Sequence, residues 1–388
     1  MKEWKEYNIG EICDTISDTY DGNASNVVLI NTSDVLEGKC LNHTFVPNKD
    51  LRGQFKKQFK KNDILYSEIR PANKRYAFID FEPTDYIAST KLMVIRSNDK
   101  VLPKFLYYIL QSKEMIETLQ FLAESRSGTF PQITFSELAI QTILLPEVKE
   151  QNKIVNFLEA LDSKIELNRR INGNLEQQAQ TLFNHYFIER PDLLGKYKIS
   201  NLTGIANYLN GLAMQKFRPQ IEENGIPVLK IKELGQGYTD ASSDICSENI
   251  ADGYKVHNGD VIFSWSGTLM VKIWCGGLCG LNQHLFKVSS EIYPKWFYYF
   301  WTKHHLNKFI RIAQDKAVTM GHIKRNDLEA SEILIPQMDI LAKLDAIISP
   351  LFSQIIEMKC ENRNLAAIRD ILLPQLMSGK LKINDLNR

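Results

Sequence analysis

The sequence predicts an α+β fold: two globular mixed α/β domains joined by two long antiparallel coiled-coil helices, with a pseudo-twofold internal repeat. Three observations predict it. The 388-residue chain is long for a single core and suits two domains with connectors. It repeats itself with a period of roughly 190 residues. Two stretches, one per repeat, carry a sustained heptad of apolar residues.

The repeat is read most directly from its loops and helices. Gly128-Thr129-Phe130-Pro131-Gln132-Ile133 opens a segment that closes on Ile143-Leu144-Leu145-Pro146. Val318-Thr319-Met320-Gly321-His322-Ile323 does the same and closes on Ile333-Leu334-Ile335-Pro336. Beyond the prolines the register holds without a gap, so that Ile165 matches Ile355, Asn172 matches Asn362 and Leu182 matches Leu372. Upstream, Asn62-Asp63-Ile64-Leu65-Tyr66-Ser67 resembles Gly259-Asp260-Val261-Ile262-Phe263-Ser264, and Tyr7-Asn8-Ile9 resembles Tyr197-Lys198-Ile199. The chain's end, Gly379-Lys380-Leu381-Lys382-Ile383, reads like Gly195-Lys196-Tyr197-Lys198-Ile199. A tail resembling the start of a repeat predicts a closed arrangement with the two termini near each other.

The elements follow in the same order in each half. Short β-type runs punctuated by Gly, Asn and Pro are predicted at Val27–Asn31, Asp63–Tyr66 and Lys91–Arg96, and again at Val228–Ile231, Asp260–Phe263 and His284–Val288. An amphipathic helix follows, over Pro103–Leu119 and Pro294–Ala313, with Pro near its start as helices prefer. Then comes a long helix after Pro146 or Pro336. This divides the chain into a first domain (1–146), a central helix (147–190), a second domain (191–336), and a distal helix with the tail (337–388).

The heptad seam of the central helix is Ile154, Leu158, Leu161, Ile165, Asn168, Asn172, Leu175, Ala179, Leu182 and Tyr186. The distal seam is Leu344, Ile348, Leu351, Ile355, Met358, Asn362, Leu365, Arg369, Leu372 and Leu376. At the α-helical rise such helices would be roughly 50 Å long, enough to hold two domains apart. Asn172 and Asn362 fall on the seam, where a polar Asn can fix register and orientation; a local break beside Gly173 is the other reading. Phe157, Phe183, Phe187, Phe352 and Leu373 flank the seam. They either seat partner helices or lie buried under the chain's own domains.

Composition narrows the function classes. The charge balance is 47 basic against 46 acidic residues, so a nucleic-acid contact has to come from local clusters or from a partner. The start, MKEWKEYNIGEICD, lacks the apolar core of a signal peptide, and no run of eighteen apolar residues predicts a membrane span. Six cysteines are too few for a disulfide framework and fit a reducing cytoplasm.

Catalytic motifs are missing from the sequence. There is no Pro-Pro pair of the kind that cradles a flipped base in adenine methyltransferases. None of the Gly-Lys pairs continues into the Ser or Thr of a P-loop. Cys275, Cys279 and His284 form the one metal-like cluster, but a second Cys/His pair at zinc spacing is missing, and buried apolar Cys is the expectation. Asp63, Glu68 and Asp260 occupy strand ends as nuclease carboxylates do. Glu68 is followed by Ile69 and Arg70 instead of x-Lys, and Trp265 takes its place in the second half, so Asp63 and Asp260 are expected to serve turns.

What remains suits binding. Basic, hydroxyl and amide side chains gather in loop-like settings of both β-rich regions. In the first half these are Lys56, Lys57, Ser67, Arg70, Lys74, Arg75, Thr129 and Gln132. In the second they are Lys216, Arg218, Lys230, Lys232, Ser264, Ser266, Thr268, Thr319, His322 and Lys324. Lys and Arg supply salt-dependent attraction to phosphate, whereas Arg, Gln, Ser and His can read base edges in a groove.

At this point the residues resemble a known family over essentially the whole chain. LPEVKEQNKIVNFLEALDSKIELNRRINGNLEQQAQTLF is similar to the central conserved region of the specificity subunits of type I restriction–modification systems. ILIPQMDILAKLDAIISPLF…ENRNLAAIRDILLPQLMSGKLKI is similar to their distal conserved region. The resemblance implies a non-catalytic subunit with two target-recognition domains, each reading half of a bipartite site in double-stranded DNA, and with paired helices as a ruler for the spacer. It implies two modification (methyltransferase) subunits that methylate adenine with S-adenosylmethionine, and restriction (endonuclease/translocase) subunits that use ATP and Mg. It implies no cofactor on this chain, no membrane and a cytoplasmic location. Near-neutral charge adds the expectation that the isolated chain binds DNA weakly. A coiled-coil adaptor that binds only protein, and a silent recombination copy of such a subunit, are the other readings the residues allow.

Overall fold

The computed structural model describes residues 4–49, 53–126, 129–315 and 322–383. The chain forms two compact units, one made of 1–162 and 367–388, the other of 163–366. Each unit therefore holds one β-rich region and a part of both long helices.

The first unit is built on two four-stranded sheets. One runs in the order Cys13–Ile16, Leu92–Ser97, Ile64–Ser67, Tyr76–Phe78 and is antiparallel throughout. Its central strands are apolar on both faces. Ile64, Tyr66, Met93 and Ile95 face a core that includes Phe105, Tyr108, Leu158 and Leu376. Leu65, Leu92 and Val94 alternate with them and face a second core with Val28, Ile30 and Phe59. Period-two alternation between two apolar layers explains why this strand reads as a continuous apolar run. The second sheet runs Phe45–Pro47, Asn26–Ile30, Tyr86–Ser89, Phe55–Lys57, with its middle pair parallel.

The second unit repeats this plan. Asn207–Asn210, Leu285–Ser289, Val261–Ser264 and Met270–Ile273 form the antiparallel sheet. Ile245–Ser247, Gly225–Leu229, Cys279–Leu281 and Lys255–Val256 form the mixed one, again with its middle pair parallel. Val261 and Phe263 face the larger core, and Ile262 faces the smaller one. A two-stranded ribbon closes each unit, Lys5–Asn8 with Thr142–Leu145 and Tyr197–Asn201 with Glu332–Pro336.

The single amphipathic helix expected in each half is two helices. In the first unit Pro103–Leu110 is followed by Lys113–Arg126, because Ser112 Oγ accepts the amide of Met115 and caps a new start. In the second, Lys295–His304 gives way to Leu306–Asp315. The long helices are Val148–Phe183, which continues into a π turn at Asn184–Glu189, and Met338–Met377. The first of them passes through Gly173 without the local break that the sequence allowed.

The repeated glycines share a positive φ, +66° at Gly195 and +70° at Gly379, which L side chains adopt at a cost. Gly379 lies against the indole of Trp4, and Leu381 and Ile383 join Trp4 and Tyr7 at the edge of the first core. Trp4 and the tail as far as Ile383 thus pack together in the first unit, in keeping with the tail's resemblance to the start of a repeat.

Candidate nucleic-acid interface

Each antiparallel sheet carries a strand that enters from a tight turn and leaves toward a loop. The turn needs positive φ, which Asn62 supplies at 72° and Gly259 at 88°. Asp63 Oδ2 accepts the amide of Lys60, and Asp260 Oδ2 accepts the amide of His257, both at 2.8 Å. Arg96 then clamps the buried Asp63 through Nε and Nη2, each at 2.7 Å. That hydrogen bond raises the Arg96 guanidinium above its ordinary range. Lys287 Nζ holds Asp260 at 3.0 Å in the second unit. Both carboxylates are engaged in the turns, as the sequence suggested.

At the strand's other end the two units again agree. Ser67 and Ser264 are buried. Ser67 Oγ accepts the amide of Ile69 at 3.0 Å, and Ser264 Oγ donates to the carbonyl of Ser266 at 3.2 Å. The loop thus folded back meets the segment before a short helix, Phe135–Ala139 in the first unit and Arg325–Glu329 in the second. Ile69 bridges to Gln132 in the first unit, and Ser266 bridges to His322 in the second. The amide of Ile133 donates to Glu68 O at 2.8 Å, and that of Ile323 to Trp265 O at 3.1 Å. Ser67 and Ser264 therefore shape the loop and do not reach outward.

The remaining predicted residues fall into two groups. Lys56, Arg70, Thr129, Lys216, Arg218, Thr268 and Lys324 are exposed. Arg70 is held at φ 44° before Pro71, and its Nη2 approaches Thr129 O at 3.5 Å. Others are engaged within their unit. Lys57 Nζ donates to Leu92 O at 2.8 Å, and burial lowers its ammonium pKa. Lys74 pairs with Glu37 at 3.2 Å, and Arg75 donates to Ser33 O at 3.0 Å. Lys230 pairs with Asp244, and Lys232 with Asp240 at 3.4 Å, which reduces the positive field that these lysines were expected to supply. Ser266 is buried against His284, Oγ to Nδ1 at 3.0 Å. Gln132 and His322 are partly exposed at the bridge. Thr319, with Gly128 and Val318, lies outside the described residues.

Three residues of this loop system are not among the DNA-contact candidates of the sequence: Lys91, Trp265 and His284, the last read there only as part of a metal-like cluster. Lys91 Nζ lies 3.8 Å from Glu68 Oε2 and 3.4 Å from Gln132 Oε1. The Trp265 ring lies between His284 and His322, with centroids 6.1 and 5.4 Å away. Only the strand pairing that brings residues 91 and 284 to the loop could have revealed them.

The metal-like trio disperses. Cys275 belongs to the larger core, Cys279 to the smaller one, and His284 to the loop. Burial pushes both thiols up to about 12, which disfavours the ligating thiolate.

On the long helices Ile154, Leu158, Ile165, Asn172, Leu175, Leu344, Ile348 and Ile355 are buried, and Leu161, Leu182, Leu351, Asn362, Leu365 and Leu372 are partly so. Within the second unit the helices run antiparallel: Asn362 Nδ2 donates to Ile165 O at 3.1 Å, and Lys359 pairs with Glu176 at 2.6 Å. The side chain that meets Asn362 is Asn168, at 3.0 Å, rather than Asn172, whose Oδ1 is buried without a partner among the described residues. Phe183, Phe187, Phe352 and Leu373 are buried in their own units' cores, with Phe157 packed at the edge. Burial under the chain's own domains is thus the reading that Phe183, Phe187, Phe352 and Leu373 follow, while Phe157 remains partly exposed.

A family model described as the type I restriction modification DNA specificity domain matches residues 1–177 and again 195–368. The chain belongs to this family. It is 32% identical to the type I restriction enzyme HindI specificity subunit of Haemophilus influenzae, over 98% of this chain and 100% of that one. It is 30% identical to the MjaIX specificity subunit of Methanocaldococcus jannaschii, over 74% of this chain and 71% of the relative. The fold is similar to the crystal structure of a type I restriction-modification system S subunit from M. genitalium, with a TM-score of 0.54, 17% identity and 96% of each chain covered. The two family matches coincide with the two β-rich regions and the helical stretches that follow them. No helix among the described residues is long and apolar enough to cross a membrane.

Proposed function

We propose that this type I specificity-family chain reads a bipartite double-stranded DNA site, one half per β-rich unit, and performs no bond-making chemistry itself. The observation that carries the reading is the duplicated loop frame. A strand ending in a buried serine, folded back and bridged to a second loop, presents polar side chains in each unit. Exposed Lys56, Arg70, Lys216, Arg218 and Lys324 supply phosphate contacts, and Gln132, Thr129, Thr268 and His322 are the side chains we assign to base edges. Asp63 and Asp260 are committed to turns, which supports assigning catalysis to partners.

Those partners are two adenine methyltransferase subunits using S-adenosylmethionine, and restriction subunits using ATP and Mg. The resemblance supports this division, as does the near-neutral charge of 47 basic against 46 acidic residues. Lys230 and Lys232 are already paired with Asp244 and Asp240, which takes both out of the basic surface the isolated chain offers to phosphate.

Binding to a pool of randomised duplexes tests this directly. The assembled complex should select a bipartite motif with affinity on the order of 10 nM or tighter, and the isolated chain should bind in the roughly micromolar, salt-sensitive range of non-specific contacts. An assembled complex without sequence preference would overturn the reading. Tight site-specific binding by the chain alone would overturn the assignment of phosphate contacts to partners.

A further inference from the structure

Three backbone positions recur in both units and are tied by the same bonds. The amide of Glu68 donates to Lys91 O at 3.1 Å, and the amide of Trp265 to His284 O at 3.4 Å. The carbonyls of the same two residues accept from Ile133 and Ile323, whose preceding residues are Gln132 and His322. The bridges Ile69 to Gln132 and Ser266 to His322 complete the match. Glu68, Lys91 and Gln132 in the first unit thus correspond to Trp265, His284 and His322 in the second.

The frame is held in common while its chemistry is exchanged. In the first unit the trio is an acid, an ammonium and an amide, with Lys91 Nζ within 4 Å of both neighbours. In the second it is an indole between two imidazoles, its Nε1 donating to Asn210 Oδ1 at 3.0 Å. His322 Nδ1 is buried without a partner among the described residues, although its ring is only partly covered. Lys91 is exposed, and the other four, Glu68, Gln132, Trp265 and His284, are partly so.

A reader of two different half-sites needs this combination: one backbone geometry that docks each unit alike, and side chains at fixed points that differ in donors and acceptors. We propose that these trios are the specificity-determining positions, Lys91 and Gln132 for a purine edge in one half-site, His284 and His322 for the other. The inference rests on the DNA-reading function proposed above. Lys offers donors to the N7 and O6 acceptors of guanine, and Gln the donor–acceptor pair that adenine matches. Each imidazole has one donor and one acceptor nitrogen; His284 Nδ1 is taken by Ser266 Oγ and His322 Nδ1 is buried, so Nε2 is the nitrogen each ring has for a base. Ser67 and Ser264 act only as positioning residues, since both hydroxyls bond within their loops.

The test uses the full chain assembled with its methyltransferase subunits and reads the methylated motif on a randomised plasmid library by single-molecule sequencing. Lys91→Ala with Gln132→Ala should cost about tenfold or more in discrimination at one or two base pairs of a single half-site, leaving the other half and the spacer intact. His284→Ala with His322→Ala should do the same to the opposite half. The conservative Lys91→Arg and His322→Gln serve if an alanine pair lowers the melting temperature, and should alter preference in the same half as their parents. An unchanged motif in these variants, or equal relaxation of both halves by one pair, would overturn the proposal. If the unaltered chain directs no bipartite motif at all, the DNA-reading function itself fails, an outcome distinct from a motif that the variants leave untouched.

Discussion

Asp63 and Asp260 show how much a residue's role depends on its neighbours. Each follows a residue at positive φ, and each accepts an amide three residues back. Their place before a strand was enough to predict a turn role from sequence. That Arg96 closes on Asp63 with two bonds at 2.7 Å was not, because the partner comes from a strand thirty-three residues away. Asp63 is 1% exposed and Arg96 27%, so removing the carboxylate leaves a half-sheltered guanidinium and an orphan turn amide. Asp63→Ala should destabilise the first unit by about 3 kcal/mol, read as a lowered urea midpoint. A change below about 0.5 kcal/mol would show the pair to be no more than a surface contact. Lys91 and Trp265 are the opposite case, since nothing in their local sequence marks them. Their significance arises only from the strands that carry residues 91 and 284 to the loop.

At the scale of elements, the sequence located the long helices and the central strands well, because apolar periodicity persists over many residues there. It missed most of the mixed sheets, whose strands such as Phe45–Pro47, Ile245–Ser247 and Lys255–Val256 span only two or three residues. It also merged two helices into one in each half, since the break at Ser112 is made by a cap and not by a helix-breaking residue. The heptad placed three Asn residues on the seam without showing which of them meet. Asn168 Nδ2 donates to both Glu361 and Asn362, at 2.6 and 3.0 Å, and Asn362 in turn bonds Ile165 O. That network fixes the pairing of the helices. Asn168 and Asn172 both bury an Oδ1 without a partner among the described residues, but only Asn168 has the Nδ2 bonds that join the network. Asn172→Leu should therefore raise stability by about 1 kcal/mol, whereas Asn168→Leu should lower it by leaving Glu361 and Asn362 short of a donor. Thermal unfolding of the two variants measures this, and a loss of stability in Asn172→Leu would mean that the side chain does pair.

On the scale of the whole molecule, duplication is the governing fact. Both units share sheet order, the parallel middle pair, the turn carboxylate, the buried serine and the loop bridge, and the family match falls twice on the chain. The repeat was legible because helix seams and strand runs keep their spacing. The proposed DNA contacts were only partly so, because several of them, among them Lys57, Ser67, Ser264 and Ser266, are engaged inside their own units. At the loop bridge the backbone pattern is common to both units and the side chains differ, as reading two unlike half-sites requires. The most direct measurement is single-molecule sequencing of DNA methylation in cells with this gene present and deleted, its methyltransferase partner retained. One bipartite adenine-methylated motif should vanish on deletion and return on complementation. A methylation pattern identical in both strains, with the chain expressed and bound to its partner, would contradict the account.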